Sequence, residues 1–229
     1  MWRPRNILSL IALVATWTLV ASGSASAADC GPVDTQVTGL NEAQMESSIT
    51  CLINDERTSR GLQPVSSNDD LRRAAVSHSN EMIDQGYFEH TSPAGLTFMD
   101  RIESTGYMRG ARSWTVGENL VWGTGPLSTP QALVTAWMNS PPHRQNLLRP
   151  SFRELGVAAL TGTPVSRSDQ TGTTVSSEYG YRTFATKKSA RKAHKAHRAR
   201  KARKARKGHK RHKGHKSHKS HKLGKKHRR

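Results

Sequence analysis

The sequence predicts an α+β fold. Three observations lead there: helical three- and four-residue periodicity fills the first two-thirds of the central region, strand-like alternation comes late, and no alternating strand–helix series appears. Between a leader and a basic tail lie residues 28–186, 159 in number, enough for one domain with one core.

The elements follow in order. Met45, Ile49, Leu52, Ile53 and Glu56 recur at helical steps, predicting a first helix from about Glu42 to Arg60, stopped by Gly61. Gln63-Pro64-Val65 reads as a turn. Asn68 can cap a second helix, because its side chain can accept a free first-turn N–H, and Asp69 and Asp70 suit the positive end of the dipole. Leu71, Ala75, His78 and Met82 share one face of it, which makes His78 a core histidine, and Gly86 ends it. Tyr87 to Pro93 reads as a short extended stretch. A third helix covers Thr97 to Thr105, with Phe98 and Ile102 inward. Trp114 to Val121 reads as a strand interrupted by Gly117-Glu118-Asn119. Thr129-Pro130 opens a fourth helix with Pro at its first position, Leu133, Val134, Trp137 and Met138 form its apolar side, and Pro141-Pro142 stops it. Phe152 to Leu160 and Val175 to Phe184 read as the two strands of a hairpin around a turn-rich 161–173. Trp114 and Trp137 are expected in the core and Glu154 at the surface.

The termini carry a different message. Arg3 and Arg5, an apolar run from Ile7 to Ala21 and the small residues Ala25-Ser26-Ala27 read as a secretory signal peptide over 1–27. The run is about 15 residues, below the roughly 20 that a spanning helix needs, so no transmembrane helix is expected in the mature chain. Asp29 before Cys30 argues against a lipid anchor. An exported chain with two cysteines favours a Cys30–Cys51 disulfide over two separate thiols. Residues 28–41 form an N-terminal segment and 42–186 the folded body.

The formal net charge of +19 divides sharply. Residues 187–229 hold 22 Lys+Arg, 8 of the 11 His and no acid, whereas 1–186 hold 14 Arg, no Lys and 17 acids. From Ala190 to Lys222 the tail is eleven triplets, with Ala, Gly or Ser mostly first and His or Arg second. A three-residue period drifts around a helix and builds no apolar face, so disorder is expected. Such a run binds polyanions with steep salt dependence. No aromatic residue lies in it to stack on bases, so anionic wall polymers or acidic lipids rank above nucleic acid as partners. The histidines at every third position from His209 to His221 add charge as pH falls through about 6.5.

The body contains only His78, His90 and His143, and no Walker loop, H-E-x-x-H or C-x-x-C motif. Four segments do occur in order: A-V-S-H-S-N-E-M from Ala75, F-E-H-T-S-P-A-G from Phe88, V-G-E-N-L-V from Val116, and W-M-N-S-P-P-H-R-Q-N-L-L-R-P-S-F-R-E-L-G-V from Trp137. Together, over roughly 42–185, they resemble the CAP superfamily (cysteine-rich secretory, antigen 5, pathogenesis-related 1), in its bacterial SCP-like branch.

The resemblance implies an α-β-α sandwich, a central antiparallel sheet flanked by helices. It also implies a cleft of two histidines and two acids that in some members holds a divalent metal. By motif the histidines are His90 and His143 and the first acid is Glu118. Ser140 stands where the eukaryotic branch has its second acid. Two imidazoles and one carboxylate suit Zn²⁺ or another divalent cation with a position left open. The competing reading is that the two histidines hydrogen-bond Glu118 and hold the cleft together. His78, Ser140 and Asn146 are candidates to support the site.

Three functions follow. The leading one is a secreted, cell-wall-associated module, not primarily an enzyme, whose cleft binds a small apolar ligand, a lipid or a peptide and whose tail tethers it. The second is a metal-dependent hydrolase with His90, Glu118 and His143 as catalytic residues. The third is a polyanion organiser, for wall polymer or extracellular DNA, acting through the tail.

Overall fold

A computed structural model describes residues 29–165, 171–186, 189, 191–192 and 194–204. The signal peptide over 1–27 and the His-rich end of the tail lie outside the described residues.

The expected helices form for the expected local reasons. In α1 (Glu42–Thr58) Asn41 and Gln44 make a reciprocal capping box, and Met45, Ile49 and Ile53 are buried at four-residue steps. In α2 (Asp69–Gln85) the Asn68 side chain accepts from the Leu71 N–H, and Gly86 closes the helix in the left-handed conformation, φ 67°. In α3 (Phe98–Ser104) Thr97 and Asp100 form a second capping box. In α4 (Pro130–Asn139) Thr129 is the cap, Pro130 opens the first turn, and Trp137 is fully buried. The disulfide is present: Cys30 and Cys51 are joined, Cα atoms 5.4 Å apart, and fasten the N-terminal segment to α1.

The sheet runs β1-β3-β4-β2, from β1 (Ser66–Ser67), β2 (Ser113–Thr124), β3 (Glu154–Thr161) and β4 (Gly172–Thr183). β3–β4 is the expected hairpin and β2–β4 a twelve-pair antiparallel ladder. The two-residue β1 pairs parallel with β3, so the sheet is antiparallel except at that edge. On one face α1, α4 and α5 (Pro141–Leu147) cover Leu155, Val157, Ala159, Val175 and Tyr179. On the other, α2 contributes Leu71 and Ala74 and α3 contributes Ile102 to a second cluster with Tyr107, against which Val116 of β2 packs. The α-β-α sandwich is therefore the architecture. The second face is packed backbone to backbone: a Cβ at Gly156 would overlap the Arg72 amide and the Leu71 carbonyl carbon, and one at Gly180 the Tyr107 hydroxyl.

Several expectations change. β2 is not interrupted at Gly117-Glu118-Asn119, because all three pair in register with Tyr179, Glu178 and Ser177. Gly117 is small there because a Cβ would lie 3.1 Å from both Asn146 Oδ1 and Phe152 Cζ. Tyr87 to Pro93 is irregular, held by side chains and not by a ladder. Pro141-Pro142 ends α4 but also starts α5, since a missing N–H costs nothing in a first turn. Trp114 sits on the edge strand and is 40% exposed, not core. Glu154 is not solvent-facing: it accepts from Asn68 Nδ2 at 2.8 Å, Tyr107 Oη at 2.6 Å and Arg182 Nη2 at 3.0 Å. Residues 194–204 of the tail are helical and exposed throughout. Ala, Arg and Lys are strong helix formers, but a helix this short with no buried face is marginal in water.

Candidate functional site

Glu118 lies in the middle of β2 on the α2–α3 face, fully covered. Its Oε1 is 2.6 Å from His90 Nδ1 and its Oε2 is 2.7 Å from Arg101 Nη2. Burial raises the carboxyl, but the His90 bond, Glu178, Arg101 and His78 outweigh that and hold it below its ordinary range.

His90 belongs to the irregular connection between α2 and α3. Arg101 fixes that connection by donating to the His90 carbonyl at 2.9 Å and the Leu96 carbonyl at 3.0 Å. The imidazole remains 53% exposed on its outer side. Its bond to Glu118 holds it above the ordinary histidine value, against the opposing effect of burial. His78, on α2, is fully buried. Its Nε2 lies 3.0 Å from the Glu89 carbonyl and its Nδ1 3.4 Å from the Tyr87 hydroxyl. Burial lowers its value, and in its neutral form the ring can donate from Nε2 to the Glu89 carbonyl while Nδ1 accepts from the Tyr87 hydroxyl.

His143 comes from α5 on the opposite face, and β2 is the edge strand over which the two faces meet. It is half-buried, and burial together with the His90 charge lowers it. Its backbone is tied to β2: Asn119 Nδ2 donates to the His143 carbonyl at 2.9 Å, and Asn146 Nδ2 donates to the Glu118 carbonyl and to Asn119 Oδ1, both at 3.1 Å. Ser140 is the junction residue of α4 and α5, and its side chain caps neither. The mount of α5 is Arg57, a buried α1 cation whose guanidinium donates to the carbonyls of Gln63, Leu147, Arg149 and Phe152 at 2.7–3.2 Å.

Both Glu118 oxygens are engaged, one by a guanidinium that also repels a second cation. Among the described residues no three His, Cys, Asp or Glu side chains converge at metal-binding geometry. Glu118 is thus an anchor for Arg101 and His90. What faces solvent is a pair of unlike imidazoles, one favouring its proton and one shedding it.

Sequence reasoning missed Arg101, Asn119 and Glu178. Glu178 pairs with Glu118 directly across the β2–β4 ladder and is fully buried. The signal was its place in V-S-S-E-Y-G-Y: a central strand of a sandwich is covered on both faces, so an acid in its middle is buried whichever way it points.

Known proteins show the same frame. A family model, the cysteine-rich secretory protein family (CAP), matches residues 51–179. The chain is 38% identical over 112 residues to the uncharacterized protein YkwD of Bacillus subtilis (strain 168), 49% of this chain and 41% of that one. It is 32% identical over 114 residues to the uncharacterized membrane protein YlbC of the same organism, 49% of this chain and 30% of that one. It therefore spans under half the length of these curated relatives. Among solved structures it is similar to an outer surface protein from Borrelia burgdorferi, at TM-score 0.51 and 22% identity over 63% of this chain and 97% of that one. It is also similar to an extracellular protein with an SCP domain from Bacillus anthracis str. Ames, at TM-score 0.47 and 28% identity over 60% and 40% of the respective chains. With the match spanning α1 to β4, and His90, Glu118 and His143 all inside it, this chain belongs to the CAP family.

Proposed function

We propose that the protein is a secreted CAP-domain binding module, held at an anionic cell surface by its basic tail, whose cleft takes a small apolar ligand, a lipid or a peptide. The carrying observation is the saturation of Glu118 by His90 and Arg101. A carboxylate closed on both oxygens is a poor general base, whereas it leaves the outer edge of His90 free to meet a polar group on a ligand. Leu96 and Met99, 50% and 40% exposed on the segments that carry Arg101, supply apolar surface nearby. The tail supplies retention through released counterions.

Two measurements test this. Native mass spectrometry of the intact protein should find a bound species of discrete mass that is lost in His90→Leu; a ligand-free protein, or retention in the variant, overturns the cleft reading. Co-sedimentation with phosphatidylglycerol vesicles should be tight at low salt, weaker in high salt and weaker at pH 8 than at pH 5. Equal binding by a chain lacking 187–229 overturns the tether. If the tail peptide alone reproduces the cellular role, the body is dispensable and the protein is a polyanion organiser.

A further inference from the structure

Two large aromatic side chains stand exposed at the corner of the sandwich from which the tail departs: Trp114 at 40% and Phe184 at 52%. The strand register explains why they share it. Trp114 of β2 lies opposite Arg182 of β4, and residues directly opposite point to the same face. Phe184 follows two residues after Arg182, on the same side, with the Arg182 guanidinium 5.5 Å from its ring centre. That guanidinium is fixed: it lies 4.2 Å over the Tyr107 ring and donates to Glu154 at 3.0 Å.

The surroundings are cationic. Arg109 and Arg112, in the segment leading into β2, are both exposed. The arginines in ion pairs among the described residues are Arg60, Arg72, Arg73, Arg101 and Arg182, so these two are not among them. The Arg112 N–H donates to the Thr183 carbonyl at 2.7 Å, which holds Arg112 beside Phe184. Three residues past Phe184 the tail begins, with 22 Lys+Arg and no acid.

Single exposed apolar residues are ordinary, but two rings on one face at the root of a polycation form a patch. Rings with guanidinium groups beside them suit the boundary between lipid headgroups and acyl chains, where the ring enters the apolar layer and the cation meets phosphate. A polycation alone is attracted to anionic lipid but is released by salt, whereas inserted rings add a contribution that salt does not screen. An anionic wall polymer would satisfy the cations and offer the rings no apolar layer, which favours lipid.

We propose that Trp114 and Phe184 form a membrane-docking corner that seats the body on an anionic lipid bilayer, with Arg109 and Arg112 at the headgroups and the tail bound to the same surface. The inference rests on the tether reading above and specifies which anionic surface is involved. Trp122, 36% exposed at the far end of β2 and about 26 Å away along the strand, takes no part and serves as the internal control.

The test uses the chain without its leader 1–27 and vesicles of equal parts phosphatidylglycerol and phosphatidylcholine. At low salt the double variant Trp114→Ser, Phe184→Ser should bind about tenfold or more weakly than wild type, whereas Trp122→Ser should bind as wild type. Trp122→Ser retains Trp114 and the fully buried Trp137, so its fluorescence reports the corner. Phosphatidylglycerol brominated on its acyl chains should quench that signal and leave Trp114→Ser unquenched. Equal affinity of the double variant, or an unquenched Trp114 at saturating lipid, overturns the proposal. So does a double variant that loses binding to purified wall polymer but keeps binding to vesicles, since the occupant is then the polymer. Removing 187–229 should weaken binding at low salt and preserve the quenching at saturating lipid. If that removal changes nothing, the tether reading fails, while the corner still stands or falls on the two substitutions. Should the double variant not fold, Phe184→Ser alone, placed beyond the last strand pair, should bind about threefold or more weakly, and unchanged binding overturns the proposal.

Discussion

Arg57 should be among the costliest residues to replace, although it lies outside the cleft. It is fully buried, carries a charge with no carboxylate partner among the described residues, and spends donors on four backbone carbonyls: Gln63, Leu147, Arg149 and Phe152. Arg57→Met keeps most of the stem volume and deletes every donor. The Leu147 and Phe152 carbonyls are then left buried without partners, at roughly 1–3 kcal/mol each. Against this, the variant no longer desolvates a guanidinium, a burden visible in the lowered value that burial gives Arg57. The net is a loss of about 2–4 kcal/mol, the cost of the two orphaned carbonyls less the relieved desolvation. Urea unfolding followed by tryptophan fluorescence would measure it, and Arg57→Lys, with one donor group in place of the fork, should fall between. The His143 imidazole resonance should broaden in the methionine variant, because the carbonyls released hold the end of α5 and the turn into β3. A loss below about 1 kcal/mol would refute the reasoning, by showing that those carbonyls find other donors at little cost.

Other outcomes follow from the same packing. Gly156→Ala should lower stability by about 3 kcal/mol and Tm by about 6–12 °C in a calorimetric scan, since the neighbours that must move are α2 backbone atoms; an unchanged Tm would show that α2 slides freely. Reduction of Cys30–Cys51, which spans 21 residues, should cost about 3 kcal/mol through released chain entropy, and identical urea midpoints with and without reductant would contradict that. The raised His90 gives stability that is full below the ordinary histidine value near 6.5 and fades as pH rises through its higher folded value. The stability gap between wild type and His90→Gln should therefore shrink from pH 6 to pH 9, and a gap that widens would reverse the assigned sign.

What the sequence made legible was what is local. The cap at Asn68 is decided within four residues, and so are stops at Gly61 and Gly86; all stand where the pattern puts them. β1 was illegible because two serines carry no pattern, and their strand character comes from β3, nearly ninety residues away. α5 was hidden by reading Pro141-Pro142 only as a stop. In the cleft, motif order located His90, Glu118 and His143, but no spacing announces that Arg101 closes Glu118 or that Glu178 lies across from it. Those facts arise only once β2 and β4 are zipped in register.

The two faces of the sheet also differ in how much change they can absorb. The α1–α4 face is filled by interlocking side chains such as Ile49, Ile53, Trp137 and Phe152, which can trade volume with one another. The α2 face is closed by Gly156 and Gly180 against helix backbone and a tyrosine hydroxyl, and Glu118 and Glu178 are set into it. Sequence drift that resizes the interior is thus confined to the side away from the acids. New ligand preferences would have to be written at the rim, on the His90 segment and at the Ser140–His143 corner, where substitutions leave the inelastic layer untouched.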